Sequence, residues 1–586
     1  MVNFYTDNAD IRYYLDHLDL KEMVTLKEND YKNAEECDYA PTDYDDAIDS
    51  YHRVLELVGE LAGEKIDPRA SEVDEIGARY EDGHVVHTPG IAQAVAELAR
   101  ADLMGFTMPR RYGGLNMPNV AYCGAIELVS RADASLMTIF GLQDIGETIN
   151  SFADEVIKEE YLPRLARGEA TGAMVLTEPD AGSDLQAVRL AASENPDRPG
   201  WWRLNGVKRF ISNGCAEVLL VLARSEPGTT DARGLSLFVC DGGEGVHVRR
   251  IENKLGIKGS PTCEIQFTDT PARLIGQRRR GLTRHVMSLM NGARLCIAAQ
   301  GVGIAEAAYR KALDFAVARE QFGKKIIEIP AVRDILGRMR VQIEAARALT
   351  YNTALTVDVA NVLEERLGGM NRKDPEYKPT RQRLGLYRKL ANLLTPMSKM
   401  YATERCNEIA SKAIQVHGGS GYMKDYDVER HFRDARITNI YEGTTELQVV
   451  AAIGGMTSGV FETYVEMLGE HVREGVPTEL LAEVSEGLEL AQKSLAYLRE
   501  QDQRYLDLRA REMVEIGMDL INSLLLLEQS KTSDHKRTVA ELYVRQAMPR
   551  VRMRADYICS GERVVLDAFE GVTGDGYQRT DGAELS

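Results

Sequence analysis

Residues 171–184 read TGAMVLTEPDAGSD, and at this stretch the periodicity of the chain changes. Before it, apolar residues recur at helical intervals, as in YDDAIDSYHRVLELVGELAGEK (44–65) with Ile48, Val54, Leu55, Leu57, Val58 and Leu61. From 171 to 275 come short β-branched or aromatic runs, WWRLNGVKRFIS, EVLLVLARS, GLSLFVCD and CEIQFTD, punctuated by glycine, asparagine and aspartate. After 283 the helical spacing returns: Leu295, Ala299, Val302, Ala305, Tyr309, Leu313 and Ala316 recur at steps of three and four, with enough alanine and glycine for close packing in a bundle. The expected fold is therefore mainly α with a central β domain.

Working outward, the texture divides the chain into an acidic, tyrosine-bearing N-terminal extension (1–45), a helical domain (46–170), the middle β domain (171–282), a helical bundle domain (283–460) and an additional C-terminal helical domain (461–586). The charged run EERLGGMNRKDPEYKPTRQR (364–383) reads as an exposed linker or a loop between two long helices. In the last block Leu481, Val484, Leu488, Ala491, Leu495 and Leu498 form a stripe expected to pack against the bundle or a partner subunit rather than a membrane.

With 586 residues, 44% hydrophobic and 27% charged, the composition is that of an ordinary globular chain able to bury a large core. A net charge of −19 argues against nucleic acid or an anionic membrane as a partner; an anionic substrate would need locally converging basic residues. The eight cysteines show no CxxC or other clustered spacing, so reduced thiols are expected and neither a disulfide framework nor a metal site. MVNFYTDNADIRYYLDHLDL lacks the pattern of a signal peptide and no apolar run reaches membrane-spanning length, which leads to the expectation of a cytoplasmic protein.

Four short motifs carry candidate chemistry. VLTEPDAGSD (175–184) places Thr177, Gly182 and Ser183 in a turn whose N–H and hydroxyl donors suit a phosphate or the polar edge of a flavin. RFISNG (209–214) sets Phe210 and Ser212 two apart on a strand, an aromatic beside a hydroxyl that could cover a planar cofactor. AREQFG (318–323) closes a long helix, and the glycines of QVHGGSGY (415–422) allow close approach to the backbone. Taken singly, these read equally as a turn, a hairpin end, an exposed helix end and a C-cap. NIYEGTTE (439–446), read alone, holds a solvated loop acid, Glu442.

In this order, and joined to RDARITNIYEGTTE and to MPRRYGGL (108–115), the motifs resemble the acyl-CoA dehydrogenase family over residues 90–455. The resemblance implies a helical domain, a β-barrel domain and a four-helix bundle with FAD at their junction, plus a C-terminal helical extension. By motif matching, Met174, Leu176, Thr177 and Ser183 meet the flavin, Phe210 and Ser212 flank its ring, and Thr444 and Glu446 hold the ADP part. Arg319, Gln321, Phe322, Gln415, Gly418 and Gly419 reach FAD from a neighbouring subunit, which implies a homodimer or homotetramer. Ser183, Asn291, Arg294 and Tyr441 face the acyl-CoA substrate, Arg294 at the pantetheine arm.

Glu442 matches the family's catalytic base, which takes the α-proton while the β-hydride passes to flavin N5. The product is a trans-2-enoyl-CoA, and the electrons go to electron-transfer flavoprotein, the chemistry of fatty acid β-oxidation. Some members carry the base just before the arginine matching Arg294, where this chain has Ala293. An acyl-CoA oxidase and a non-catalytic flavoprotein relative are the competing readings, alongside a C-terminal block that docks on membranes. The chain departs from the family at Pro330, where glutamine is usual, and in VVAAIGGM (449–456), which lacks an arginine some relatives use near CoA. Pro330, the charged interruption and the extra C-terminal helices resemble the long subfamily that includes 3-methylthiopropionyl-CoA dehydrogenases.

Overall fold

The computed structural model describes residues 2–472 and 474–574, in two compact units, Met1–Gln448 and Val449–Ser586. The boundary falls inside a helix and ahead of the 460/461 break expected from texture.

The first unit begins with α1 (Ala9–His17), α2 (Lys21–Lys27), α3 (Tyr44–Leu61) and α4 (Ala70–Ile76), then a hairpin of β1 (Arg79–Glu81) and β2 (His84–Val86). It continues through α5 (Pro89–Arg100), α6 (Asn119–Ala132), α7 (Ala134–Leu142), α8 (Ile145–Phe152) and α9 (Glu155–Ala166). Side-chain oxygens start several of these helices by accepting from otherwise unpaired N–H groups: Asn8, Asp43, Thr88, Asp133 and Asp154. The first 45 residues fold into this unit, burying Ile11, Tyr14, Leu15, Met23 and Val24 and joining Asp10 to the fully buried Arg347.

The middle region is β3 (Gly172–Val175), β4 (Ala191–Glu194), β5 (Trp201–Ser212), β6 (Val218–Arg224), β7 (Leu235–Asp241), β8 (Val246–Ile251) and β9 (Thr262–Ile275). The pairings run β6–β7–β9–β5–β4 and return to β6 through Ala191 and Arg224, so the sheet closes on itself and leaves few free edges. Alternation along β6 feeds two cores. Leu219 and Val221 join Phe238, Ile265, Phe267 and Trp202, whereas Leu220 and Leu222 join Tyr161, Leu162 and Leu165 of α9.

The bundle comprises α10 (Met287–Ala318), a small hairpin of β10 (Glu320–Gln321) and β11 (Lys324–Lys325), then α11 (Pro330–Gly369), α12 (Tyr377–His417), α13 (Val428–Thr438) and α14 (Thr445–Thr457). Every residue of α10 from Arg294 to Ala308 is buried, as a helix surrounded by neighbours requires. Pro330 stands at the first position of α11, where its missing N–H costs no hydrogen bond. The charged run 364–383 is mostly helix: only 370–376 leave it, and the rest extends α11 and α12 as solvated turns, with ion pairs Arg388–Glu364 and Arg383–Glu22 on the surface.

The second unit holds α15 (Val460–His471), α16 (Thr478–Arg499), α17 (Gln503–Gln529) and α18 (Asp534–Cys559). The stripe on α16 packs against α17 and α18 of the same unit, and it is turned from the expected phase: Leu480, Val484, Gly487, Ala491, Ser494, Leu495 and Leu498 are buried, while Leu481 and Leu488 are only half-buried. Gly487 lets α18 approach, since a Cβ there would lie 3.0 Å from the Met548 sulfur. Leu480→Ala is expected to destabilise the second unit by about 2–3 kcal/mol and Leu481→Ala by less than half of that, measured by urea unfolding of the full chain; equal losses would contradict this phase. Among the described residues no helix is long and apolar enough to cross a membrane.

Candidate active site

Between the end of α13 and the start of α14 the chain reverses at Glu442 and Gly443, whose φ angles are +54° and +92°. Glycine takes the left-handed region freely, whereas a glutamate there costs about 1–2 kcal/mol and persists only where surrounding bonds over-determine it. Those bonds are present. Lys399 Nζ on α12 donates to the Gly443 carbonyl at 2.8 Å. Gln448 Nε2 donates to the carbonyls of Glu442 at 3.1 Å and Gly443 at 2.9 Å. Glu404, also on α12, accepts from Asn439 Nδ2 at 3.2 Å and from the Thr445 hydroxyl.

The clamp leaves the functional atoms of Glu442 unengaged. Among the described residues, its backbone N–H finds no acceptor and its carboxylate neither accepts a hydrogen bond nor lies within 4.0 Å of a cation. Protein packed around the carboxylate pushes it up to about 7, against the pull of Lys399 and Arg294. Lys399 moves the opposite way, pushed down to about 7 by burial, with Glu442 raising it, Arg294 lowering it and Glu404 raising it. Arg294 is buried, its Nε has no partner and its Nη1 reaches Asn291 Oδ1 at 3.4 Å. Tyr441, expected against substrate, has its hydroxyl on Gln300.

A raised carboxylate does not by itself single out Glu442. Burial also pushes Asp144 up to about 6, and Glu147 and Asp434 up to about 7. Asp434 is engaged, accepting from the Ile257 N–H at 2.5 Å. Asp144 lies beside α10: a Cβ on Gly292 would stand 2.8 Å from its Oδ2. These two acids, Asp144 and Glu147, carry no motif that would reveal them in the sequence.

The turn after β3 is held by a second buried lysine. Lys208 on β5, fully buried, donates to the Leu176 carbonyl at 2.7 Å and pairs with Glu178 at 3.0 Å. Glu178 in turn accepts from the N–H groups of Arg189 and Leu190 at 2.8 and 2.9 Å. The anchoring leaves Met174 and Thr177 half-buried, Gly182 and Ser183 exposed and Leu176 in the core. Across the turn, a bulge in the β5–β9 pairing between Lys208 and Ile211 interrupts simple alternation and sets Phe210 at φ +61°, its ring 51% exposed, with Ser212 half-buried. Phe210, with the Arg209 guanidinium over its ring at 4.7 Å, stands with Ser212 and the exposed Ser183 as an aromatic and two hydroxyls that fit the edge of a flavin.

The remaining expected FAD contacts lie elsewhere on the bundle. Arg319, Gln321 and Phe322 occupy the β10–β11 hairpin, whose two-residue tip, Phe322-Gly323, has φ of +55° and +73°; Phe322 is 91% exposed. Gln415, Gly418 and Gly419 are exposed where α12 ends, and nothing occupies the space where a Cβ on either glycine would stand. The rings of Phe315 and His417, stacked at 4.3 Å, bind these two ends together. Thr444 is half-buried and Glu446 exposed at the start of α14.

Comparison with known proteins matches four family models in order: "Acyl-CoA dehydrogenase, N-terminal domain" over 49–169, "middle domain" over 173–270, "C-terminal domain" over 295–446 and "Acyl-CoA dehydrogenase C terminal" over 457–562. A 3-methylmercaptopropionyl-CoA dehydrogenase of Ruegeria pomeroyi is 33% identical over 512 residues, 81% of each chain. The chain belongs to the acyl-CoA dehydrogenase family. It is an oxidoreductase with FAD as cofactor, and the likeness runs past both ends of the 90–455 span marked by the motifs. Among solved structures, butyryl-CoA dehydrogenase of Megasphaera elsdenii is 29% identical and matches 70% of this chain and 98% of its own with a TM-score of 0.59. An acyl-CoA dehydrogenase from Bacillus anthracis complexed with FAD, 23% identical, shares the fold over 87% of this chain and 88% of its own with a TM-score of 0.72.

Proposed function

We propose that this dehydrogenase oxidises an acyl-CoA thioester to its trans-2-enoyl-CoA with Glu442 as the base, and that the electrons leave through electron-transfer flavoprotein. The observation that carries the reading is the clamped Glu442 turn, in which both the carboxylate and the amide are uncommitted. Bound FAD supplies the hydride acceptor. The Glu442 carboxylate removes the α-proton, and its N–H donates to the thioester carbonyl where negative charge develops.

The magnitudes show why both groups are needed. A thioester α-proton with a pKa of roughly 20 lies about 16 units above an ordinary glutamate, a gap of roughly 21 kcal/mol. Raising Glu442 to about 7 closes roughly 3 kcal/mol of it. A pre-aligned N–H at the carbonyl contributes about 3–4 kcal/mol more, and departure of the hydride in the same step avoids a free carbanion. Arg294, a buried guanidinium with an unpartnered Nε, is the candidate for the CoA arm.

Arg319–Phe322 and Gln415–Gly419 serve the cofactor of a neighbouring copy in this reading. Arg294 stands 24 residues before Ala318 on one continuous helix, a rise of roughly 36 Å, so the hairpin at its far end is distant from its own base. The family resemblance supports electron-transfer flavoprotein as the acceptor, and the Ruegeria relative's name makes a short thioether acyl group the first substrate to try.

An anaerobic panel of straight, branched and methylthio acyl-CoAs, scored by bleaching of the flavin band, tests the assignment. Because the base must be ionised, the bleaching rate is expected to hold above neutrality and to fall about tenfold per pH unit below about 7, the sign set by the raised Glu442. No bleaching by any member would favour a non-catalytic flavoprotein, and rapid reoxidation of the substrate-reduced protein by air, with peroxide formed, would favour an oxidase.

A further inference from the structure

Lys399 is fully buried on α12, and an ammonium removed from water costs several kcal/mol unless charge or hydrogen bonds offset it. Lys208, equally buried, meets this with Glu178 at 3.0 Å. Lys399 has no carboxylate within 4.0 Å among the described residues; its direct partner is the Gly443 carbonyl at 2.8 Å. A leucine or methionine would fill the same space without the desolvation cost, and Gln448 already donates to that carbonyl. Packing and hydrogen bonding alone therefore do not account for a lysine here.

We propose that Lys399 is a positioning residue for the base: its bond to the Gly443 carbonyl holds the Glu442 turn, and its buried charge keeps the Glu442 carboxylate ionised. The inference rests on Glu442 being the base. The charged groups that face the pair come from three elements. Glu442 lies on the turn, Arg294 on α10, and Lys399 and Glu404 on α12. Cys296 and Tyr441, the other titratable neighbours that sense Glu442, stay protonated because burial raises both. Of the two cations, Arg294 keeps an unpartnered Nε for a ligand, whereas Lys399 is directed into the loop. The burial that pushes the carboxyl up pushes the ammonium down, and both titrate near 7, so the charge on Lys399 and the ionisation of Glu442 are linked through the same pH range.

Holoenzymes carrying Lys399→Met and Lys399→Arg are compared with the wild type by FAD content, by kcat and KM, and by the acid limb of the anaerobic bleaching rate, using an acyl-CoA that bleaches the wild type. Removing the cation in Lys399→Met is expected to move the limb to higher pH by about 1–2 units and to lower kcat more than it raises KM. Lys399→Arg, a cation that does not titrate, is expected to move the limb below that of the wild type. If only the arginine variant holds FAD, its limb decides. An FAD-bound variant with an unmoved limb overturns the proposal, and loss of FAD in both assigns Lys399 a structural role and overturns it too. Glu442→Gln separates the two readings: normal bleaching there defeats the base assignment itself, whereas a dead Glu442→Gln beside an unmoved Lys399 limb defeats only this inference.

Discussion

Glu442→Gln is expected to leave the protein yellow and able to bind acyl-CoA while the rate of flavin bleaching falls by about 10³–10⁴, within the range ordinarily lost with a general base. The amide matches the carboxylate in shape, keeps the backbone N–H and disturbs neither Lys399 nor Gln448 on the carbonyls of the turn. What it loses is the capacity to accept a proton. Folding should not suffer, because the substitution removes a charge that burial already disfavours. The Lys399 ammonium loses its largest favourable neighbour and should titrate lower still. Stopped-flow bleaching, with substrate binding followed separately by the perturbation of the flavin spectrum, checks this; bleaching near the wild-type rate would remove Glu442 from the chemistry and turn attention to Asp144, beside Gly292, and to Glu147.

Much of this was legible because the informative residues break local rules. The change from helical to strand spacing at 171 locates the closed sheet, and QFG and HGGSGY announce positions whose backbones do what side chains rarely allow, seen in the positive φ of Phe322, Gly323 and Gly418. The runs read as strands, 201–212, 217–225, 234–241 and 263–269, form β5, β6, β7 and β9, the last extending to Ile275, because β-branched runs bounded by turn residues have few alternatives. What was not legible follows from the same physics. Charged residues read as exposed on average, so nothing in the sequence marks Lys208 or Lys399 as buried supports of the two turns. Charged helical turns and charged loops have the same composition, which concealed the helices within 364–383. On α16, neighbouring leucines at 480 and 481 allow two phases of the stripe, and only packing against α17 and α18 chooses between them.

Asp10→Ala should cost about 3–5 kcal/mol, because it breaks one arm of a buried ionic cluster whose partners are far apart in sequence. Arg347 on α11 has no exposed surface and is held by Asp10 of α1, by Glu127 of α6 at 2.6 Å and by Glu306 of α10 at 3.0 Å. Glu306 also meets Arg310 at 2.7 Å and Arg340 at 3.4 Å, and against burial, which raises it, the guanidinium groups of Arg347, Arg340 and Arg310 hold it down at about 2. Removing Asp10 leaves Arg347 short of an acceptor in a dry site and detaches α1 from the bundle. Urea unfolding of the holoprotein, followed by far-UV dichroism, measures the loss. The double variant Asp10→Leu with Arg347→Met should lose less than the sum of its parts, because each change removes the unpaired charge the other creates. A loss under about 1 kcal/mol for Asp10→Ala would mean that the first 45 residues ride on the fold and can be removed, whereas the expected loss makes them part of the first unit's core, since the charge they neutralise lies among α6, α10 and α11, and α10 also carries Arg294 of the site.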